Sequence, residues 1–213
     1  MRLDLRDMRK TYSKQKLGLA DCAADPFDQF KKWFEEAVAS EALEPSAMNV
    51  ATVDEAGRPA SRMVLLKEVA DDGFVFFTNY DSAKGRALAA HPVAALCFFW
   101  PELERSVRIR GTAEKLDPKE SDEYFASRPR LSRLGAWASK QSRPLDSKAA
   151  LMARAAAMET RFPLKVPRPE FWGGYKVLPD EFEFWQGRPS RLHDRVFYAK
   201  NSNGDWVKTL LNP

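Results

Sequence analysis

Cysteine and histidine are scarce in this 213-residue chain, which carries two of each. Cys22 and Cys97 cannot build a disulfide framework, and so low a cysteine content suits a reducing, cytoplasmic setting. Together with His91 and His193 they show no metal-ligand spacing, so no metal site is expected. Long apolar runs are missing too. The richest, Val93 to Trp100, stops after eight residues at Pro101, whereas a membrane helix needs about 18 or more. The opening MRLDLRDMRK lacks the apolar stretch of a secretory signal. Neither GxxxxGK[ST] nor GxGxxG occurs, which removes the common phosphate loops, and the absence of GxSxG removes a nucleophile elbow. Any difficult chemistry would therefore fall to a cofactor.

What is present describes a compact globular chain. With 44% hydrophobic, 12% aromatic and 30% charged residues, it is neither a disordered polyelectrolyte nor a fibrous repeat. The net charge of +4 is confined: residues 1–20 hold six basic groups against two acids, which accounts for the whole excess. A second window, Tyr124 to Arg143, holds five basic residues (Arg128, Arg130, Arg133, Lys140, Arg143) and no acid. Nucleic-acid binders spread cations along a continuous face, so two short patches suit small anions, phosphates above all.

The local signals predict a mainly β or α+β fold, an antiparallel barrel or sheet with peripheral helices. Asp25-Pro26 is a helix start, and Phe27, Phe30, Trp33, Phe34, Ala37 and Val38 recur at helical spacing, which predicts a helix over 26–40. Strands are expected at 47–53, 61–67 and 74–79, joined by short turns that imply hairpins. Ser82 opens a brief alanine-rich helix that Pro92 closes, and 93–100, apolar on both faces, reads as a central strand. Residues 105–114 alternate, with Val107 and Ile109 on one face. Helices follow at 118–127 and 146–161, then strands at 172–178, 181–185, 196–200 and 206–210. The expected organisation is a basic segment over 1–20, mobile or covering a site, and a single domain over 21–213.

The densest mixture of polar and aromatic groups is FWQGRPSRLHDR, residues 184–195. Read as a strand, it aims Arg191, His193 and Arg195 at one face, like a pocket wall. An ordinary exposed strand of alternating charge fits the same pattern.

Six stretches then set the family. RKTY at 9–12, SRMVLLK at 61–67, FFTNYDSAK at 76–84, YFASRPRLSRLGAWASKQS at 124–142, FWGG at 171–174 and EFWQGRPSRLHDR at 183–195 resemble the pyridoxine/pyridoxamine 5′-phosphate oxidases, in family order over nearly the whole chain. The resemblance implies an FMN-binding split β-barrel and a homodimer with FMN at the subunit interface. It also implies oxidation of pyridoxamine or pyridoxine 5′-phosphate to pyridoxal 5′-phosphate, with hydride passing from C4′ to flavin N5 and O2 giving H2O2. By matched position it places FMN on Arg62, Met63, Val64, Leu65, Leu66, Lys67, Phe77, Thr78, Lys84, Gln141, Ser142, Trp185 and Arg195. Substrate falls on Lys67, Tyr124, Arg128, Ser132, Arg191 and His193, with Arg9 and Tyr12 on a segment that covers the site. Arg191 and His193 are the implied catalytic pair. No nucleic acid and no membrane is implied as a partner.

The residue chemistry suits those roles. Lys67, Arg128, Tyr124 and Ser132 offer two cations and two hydroxyls to a phosphate dianion. Val64, Leu65 and Leu66 suit a flavin face and would equally serve as strand core. The chain departs from the family pattern at Ala83, where a basic residue is usual, and at Ser106, where a glutamine is usual. Phe77 replaces a tyrosine found in some members. Other readings of the residues are a split-barrel flavin reductase or oxidase with a different substrate, or a non-catalytic flavin or pyridoxal phosphate carrier.

Overall fold

The computed structural model describes Asp4 and residues 11–213. It bears out the α+β class: nine strands joined in one sheet, with five α-helices, among the described residues. The strands are β1 (Ala47–Val53), β2 (Pro59–Leu65), β3 (Glu68–Val69), β4 (Phe74–Asn79), β5 (Val93–Trp100), β6 (Arg105–Lys115), β7 (Trp172–Gln186), β8 (Asp194–Lys200) and β9 (Trp206–Leu210). Their order is β2-β1-β5-β6-β7-β4-β3, with β8 on β7 and β9 on β8. No described helix is long and apolar enough to cross a membrane, and both cysteines are free.

Two compact units arise, one from the described residues up to 48 with 96–110 and 180–213, the other from 49–95 and 111–179. In the first, helix α1 (Pro26–Ala39) starts where the Asp25 carboxylate accepts the Phe27 N–H at 2.7 Å and Pro26 fixes the first turn. Its apolar stripe is buried, with Phe27 5.3 Å from Phe182, Phe30 5.0 Å from Phe98 and Trp33 5.3 Å from Phe184, ring to ring. Each such ring, fully buried, contributes about 1.5–3 kcal/mol of transfer free energy.

The second unit carries the remaining helices: α2 (Ala83–Ala90), α3 (Pro118–Ser127), α4 (Arg130–Ala138) and α5 (Lys148–Arg161). Ser82, Asp117 and Ser147 cap α2, α3 and α5 by accepting main-chain N–H groups. Phe125 of α3 and Leu134 of α4 form a buried cluster with Val166 and Trp172. The Arg130 guanidinium donates to the carbonyls of Phe162, Pro163 and Leu164, tying the chain beyond α5 to the start of α4. Gly173 is required by close approach, since a Cβ there would lie 2.1 Å from the Tyr80 hydroxyl.

Several expectations need correction. β5 is internal to the sheet as predicted, but Val93, Ala95 and Phe99 on one face are exposed, so its apolar character does not mean burial on both sides within this chain. β2 lies two residues earlier than its pattern predicts. Helix α4 has no counterpart among the predicted elements. The strands expected at 172–178 and 181–185 are one: Pro179 falls after the ladder to β4 ends at Val177 and before the ladder to β8 begins at Glu181, so its missing N–H breaks neither. Residues 189–191 form a short 3-10 turn with positive φ at Ser190 and Arg191. The period-two strand expected through Arg191, His193 and Arg195 therefore starts only at Asp194.

Candidate active site

In the second unit, a cavity of about 300 Å³ is lined by Met63, Val64, Leu65 and Lys67 from β2 and the residues after it, Phe77 and Thr78 from β4, and Lys84 from α2. Tyr124 and Arg128 from the end of α3, Gln141 and Trp172 complete it. Met63, Val64 and Leu65 are consecutive residues at the end of β2, none of them buried in the single chain, while Leu66 just beyond the strand is buried and does not line the cavity. Phe77, Tyr124 and Trp172 stack in near-parallel planes, Phe77 lying 3.8 Å from Tyr124 and 5.5 Å from Trp172 between centroids. The Arg128 guanidinium lies over Trp172 at 4.6 Å, and its buried Nη1 has no hydrogen-bond partner.

The charged residues lining the cavity are all cations, and neither Lys67, Lys84 and Arg128 nor neighbouring Arg62 forms an ion pair among the described residues. Lys84 is buried and donates from Nζ to Thr78 Oγ1 and Gln141 Oε1, both at 3.0 Å. Burial, with help from nearby Arg62, pulls its pKa down to about 8. Arg62 spends its guanidinium on Val50 O at 3.1 Å and Thr52 Oγ1 at 2.8 Å. Burial also lowers the Arg128 pKa and raises that of Tyr124. A charge held in a poorly solvated place without a counter-ion costs free energy; an arriving anion recovers it. The donor set fits a phosphate dianion.

Other predicted residues gather in the first unit. Trp185 and His193 have ring centroids 4.6 Å apart, and Tyr12 sits edge-on to both at 5.7 and 5.9 Å. His193 Nδ1 accepts the Arg188 main-chain N–H at 3.1 Å. Arg195 is paired with Glu183 through two bonds of 2.8 and 3.0 Å. Burial pushes the Glu183 carboxyl up, but Arg195 and Arg108 outweigh it and hold its pKa below the usual range. Arg191 is exposed.

Ser132 and Ser142 are exposed and line no cavity described above, while Arg9 lies outside the described residues. Trp172 is a site residue that the sequence motifs do not single out, although FWGG at 171–174 is among the stretches that carry the resemblance.

The chain matches the family described as "Pyridoxamine 5'-phosphate oxidase" over residues 34–162. The chain belongs to the pyridoxamine 5′-phosphate oxidase family. Residues 172–213 match "Pyridoxine 5'-phosphate oxidase C-terminal dimerisation region". A pyridoxine/pyridoxamine 5′-phosphate oxidase of Neisseria meningitidis serogroup B is 60% identical over 211 residues, 99% of this chain and all of that one. One from Actinobacillus pleuropneumoniae serotype 3 is 59% identical with the same coverage. Among solved structures, PhzG from Burkholderia lata, in complex with tetrahydrophenazine-1-carboxylic acid, is similar at a TM-score of 0.86 and 33% identity, covering 91% of this chain and 95% of that one. An FMN-binding protein of Nostoc punctiforme, related to pyridoxamine 5′-phosphate oxidase, matches at 0.70 and 17% identity, covering 90% and 100%, a likeness of fold. That fold is the split barrel implied by the sequence motifs.

Proposed function

We propose that this chain is an FMN-dependent oxidase that converts pyridoxamine or pyridoxine 5′-phosphate to pyridoxal 5′-phosphate with O2 as electron acceptor. Full-length relatives named for that reaction support the assignment, and one observation carries it to the residues: a cavity whose cations have no acid to answer them. Bound FMN supplies a hydride acceptor that O2 reoxidises, with release of H2O2.

The chain's own groups bind and orient. Lys84 and Arg62, with Thr78 and Gln141, would hold the FMN phosphate, and Met63, Val64 and Leu65 would lie against its ring system. Lys67, Arg128 and the Tyr124 hydroxyl would hold the substrate phosphate, fixing the far end of a small molecule whose reacting carbon must be placed within a few tenths of an ångström. The aromatic stack of Phe77, Tyr124 and Trp172 covers the Arg128 guanidinium, which lies over Trp172, and a less solvated charge pulls harder on an anion. Arg191 and His193 would face the substrate ring. A homodimer with FMN at the subunit interface is supported by the dimerisation region and by Met63 and Leu65, which line the cavity yet are 62% and 39% exposed in the single chain. Free thiols at Cys22 and Cys97 accord with work in the cytoplasm.

The test is an absorbance spectrum of purified protein with and without added FMN, followed by peroxide detection on adding pyridoxamine 5′-phosphate. Flavin absorbance and stoichiometric peroxide are expected. Protein that cannot be charged with FMN would overturn the proposal.

A further inference from the structure

Glu104 belongs to none of the binding sets above, yet it is 2% exposed and has a main-chain φ of +55°, a backbone state that non-glycine residues adopt at a cost. Both of its ends are in use. Its carboxylate Oε2 accepts the main-chain N–H groups of Ser13 at 2.8 Å and Lys14 at 3.1 Å, some 90 residues away in sequence. Its carbonyl accepts the N–H of Gly187 at 2.8 Å and the Gln186 side-chain amide at 3.3 Å.

These two grips converge on one place. Tyr12, directly before the held Ser13, packs on Gly187 so closely that a Cβ there would meet Tyr12 Cγ at 2.7 Å and Glu104 Cβ at 3.1 Å. The next main-chain N–H, that of Arg188, donates to His193 Nδ1. An amide N–H can only donate, so Nδ1 carries the lone pair and the proton of the neutral ring sits on Nε2. Tyr12 then rests edge-on to both His193 and Trp185.

We infer that Glu104 is a positioning residue: it clamps the 12–14 strap to the 187–188 turn, holding Tyr12 over His193 and fixing His193 as an Nε2–H donor. The inference rests on the proposed oxidase reading for its functional meaning, but not for its test. Arg188 and Asp194 also hold the strap, through Gln15 O at 2.9 Å and Leu17 N–H at 3.0 Å, so loss of Glu104 should loosen the strap without freeing the rest of the unit. His193 in this tautomer can offer a substrate oxygen a hydrogen bond but cannot take a proton at Nε2.

The experiment uses the full chain, with and without added FMN, as wild type, Glu104→Ala and Glu104→Gln. The carboxamide oxygen of Gln can still accept from both amides, so that variant separates the clamp from the space the side chain fills. Because the chain has two histidines, ¹⁵N imidazole spectra with a His91→Gln control assign His193 directly, in the alkaline range where imidazoles are neutral. Trypsin cleavage after Lys14 and Lys16 reads strap opening. In the wild type Nδ1 should be the unprotonated nitrogen. Glu104→Ala should speed strap cleavage by about 10-fold or more, the value of one charge-assisted hydrogen bond, with Glu104→Gln close to wild type, while the tautomer, which rests on the retained main-chain carbonyl and the Arg188 N–H, stays as in the wild type. The inference is overturned by a wild-type ring protonated at Nδ1, by Glu104→Ala leaving strap cleavage unchanged, or by both variants being cleaved throughout the chain. None of these readouts requires turnover, so a failed oxidase assay with intact clamp behaviour would count against the oxidase reading alone.

Discussion

The arginines along the sheet of the first unit and the cations around the cavity of the second differ in what answers their charge. In the first, Arg195 and Arg108 converge on Glu183, Arg105 meets Glu36, Arg110 meets Glu181 and Arg188 meets Asp194. Around the cavity of the second, Lys84, Arg62, Lys67 and Arg128 meet no acid among the described residues. Paired cations are answered within the fold and serve its geometry. Unanswered ones are a cost to the ligand-free protein that an anion removes, which is the signature of a binding site.

The largest expected effect lies on the paired side. Glu183→Gln strips Arg195 of its two-bond partner and Arg108 of its own, and should cost about 3 kcal/mol of stability, the lower end for breaking a buried pair, measurable by urea denaturation. On the unpaired side, Lys84→Met should weaken FMN binding, and Arg128→Ala should raise KM for the phosphorylated substrate. Each should change by roughly 10- to 150-fold, from charged hydrogen bonds of about 1.5–3 kcal/mol, read by flavin titration and by steady-state kinetics. Lys84→Met should do so without lowering the melting temperature of the ligand-free protein. A cavity variant that destabilised as much as Glu183→Gln would break the contrast.

A smaller effect follows from pH. The Lys84 pKa in the fold, about 8, lies below the ordinary 10.5, so between those values the unfolded chain keeps a proton that the folded chain has released. That contribution to ligand-free stability rises with pH across the window. Binding of a phosphate favours the charged amine, so FMN affinity should fall as pH climbs past about 8, and Lys84→Met should flatten the curve in a pH series of flavin titrations. Smallest of all, Ser132→Ala removes an exposed hydroxyl that does not line the cavity and should change KM by no more than about twofold.

Much of the fold is legible in the sequence wherever a local device writes the element. Asp25-Pro26 and Asp117-Pro118 announce α1 and α3, and the alternation through Val107 and Ile109 announces β6. Where the outcome depends on partners distant in sequence, the local pattern is silent or misleading. β7 runs through Pro179 because its hydrogen bonds change partner there, and nothing within 172–186 says so. Helix α4, opened by Pro129 with no side-chain cap, is held by Arg130 reaching residues 162–164. The turn at 189–191 looks like alternation in sequence, yet Ser190 and Arg191 adopt positive φ. The cavity draws on residues 63–65, 67, 77, 78, 84, 124, 128, 141 and 172, a grouping that no spacing rule would assemble and that the family resemblance anticipates in every residue role but that of Trp172.

The most direct measurement compares peroxide production from pyridoxamine 5′-phosphate and from unphosphorylated pyridoxamine by the FMN-loaded protein, in wild type and in Arg128→Ala. Unanswered cations that exist for phosphate predict kcat/KM at least about 10-fold higher for the phosphorylated form, the worth of one or more charged hydrogen bonds, and a ratio that shrinks when Arg128 is lost. Equal turnover of the two forms, or a ratio indifferent to Arg128, would contradict the account.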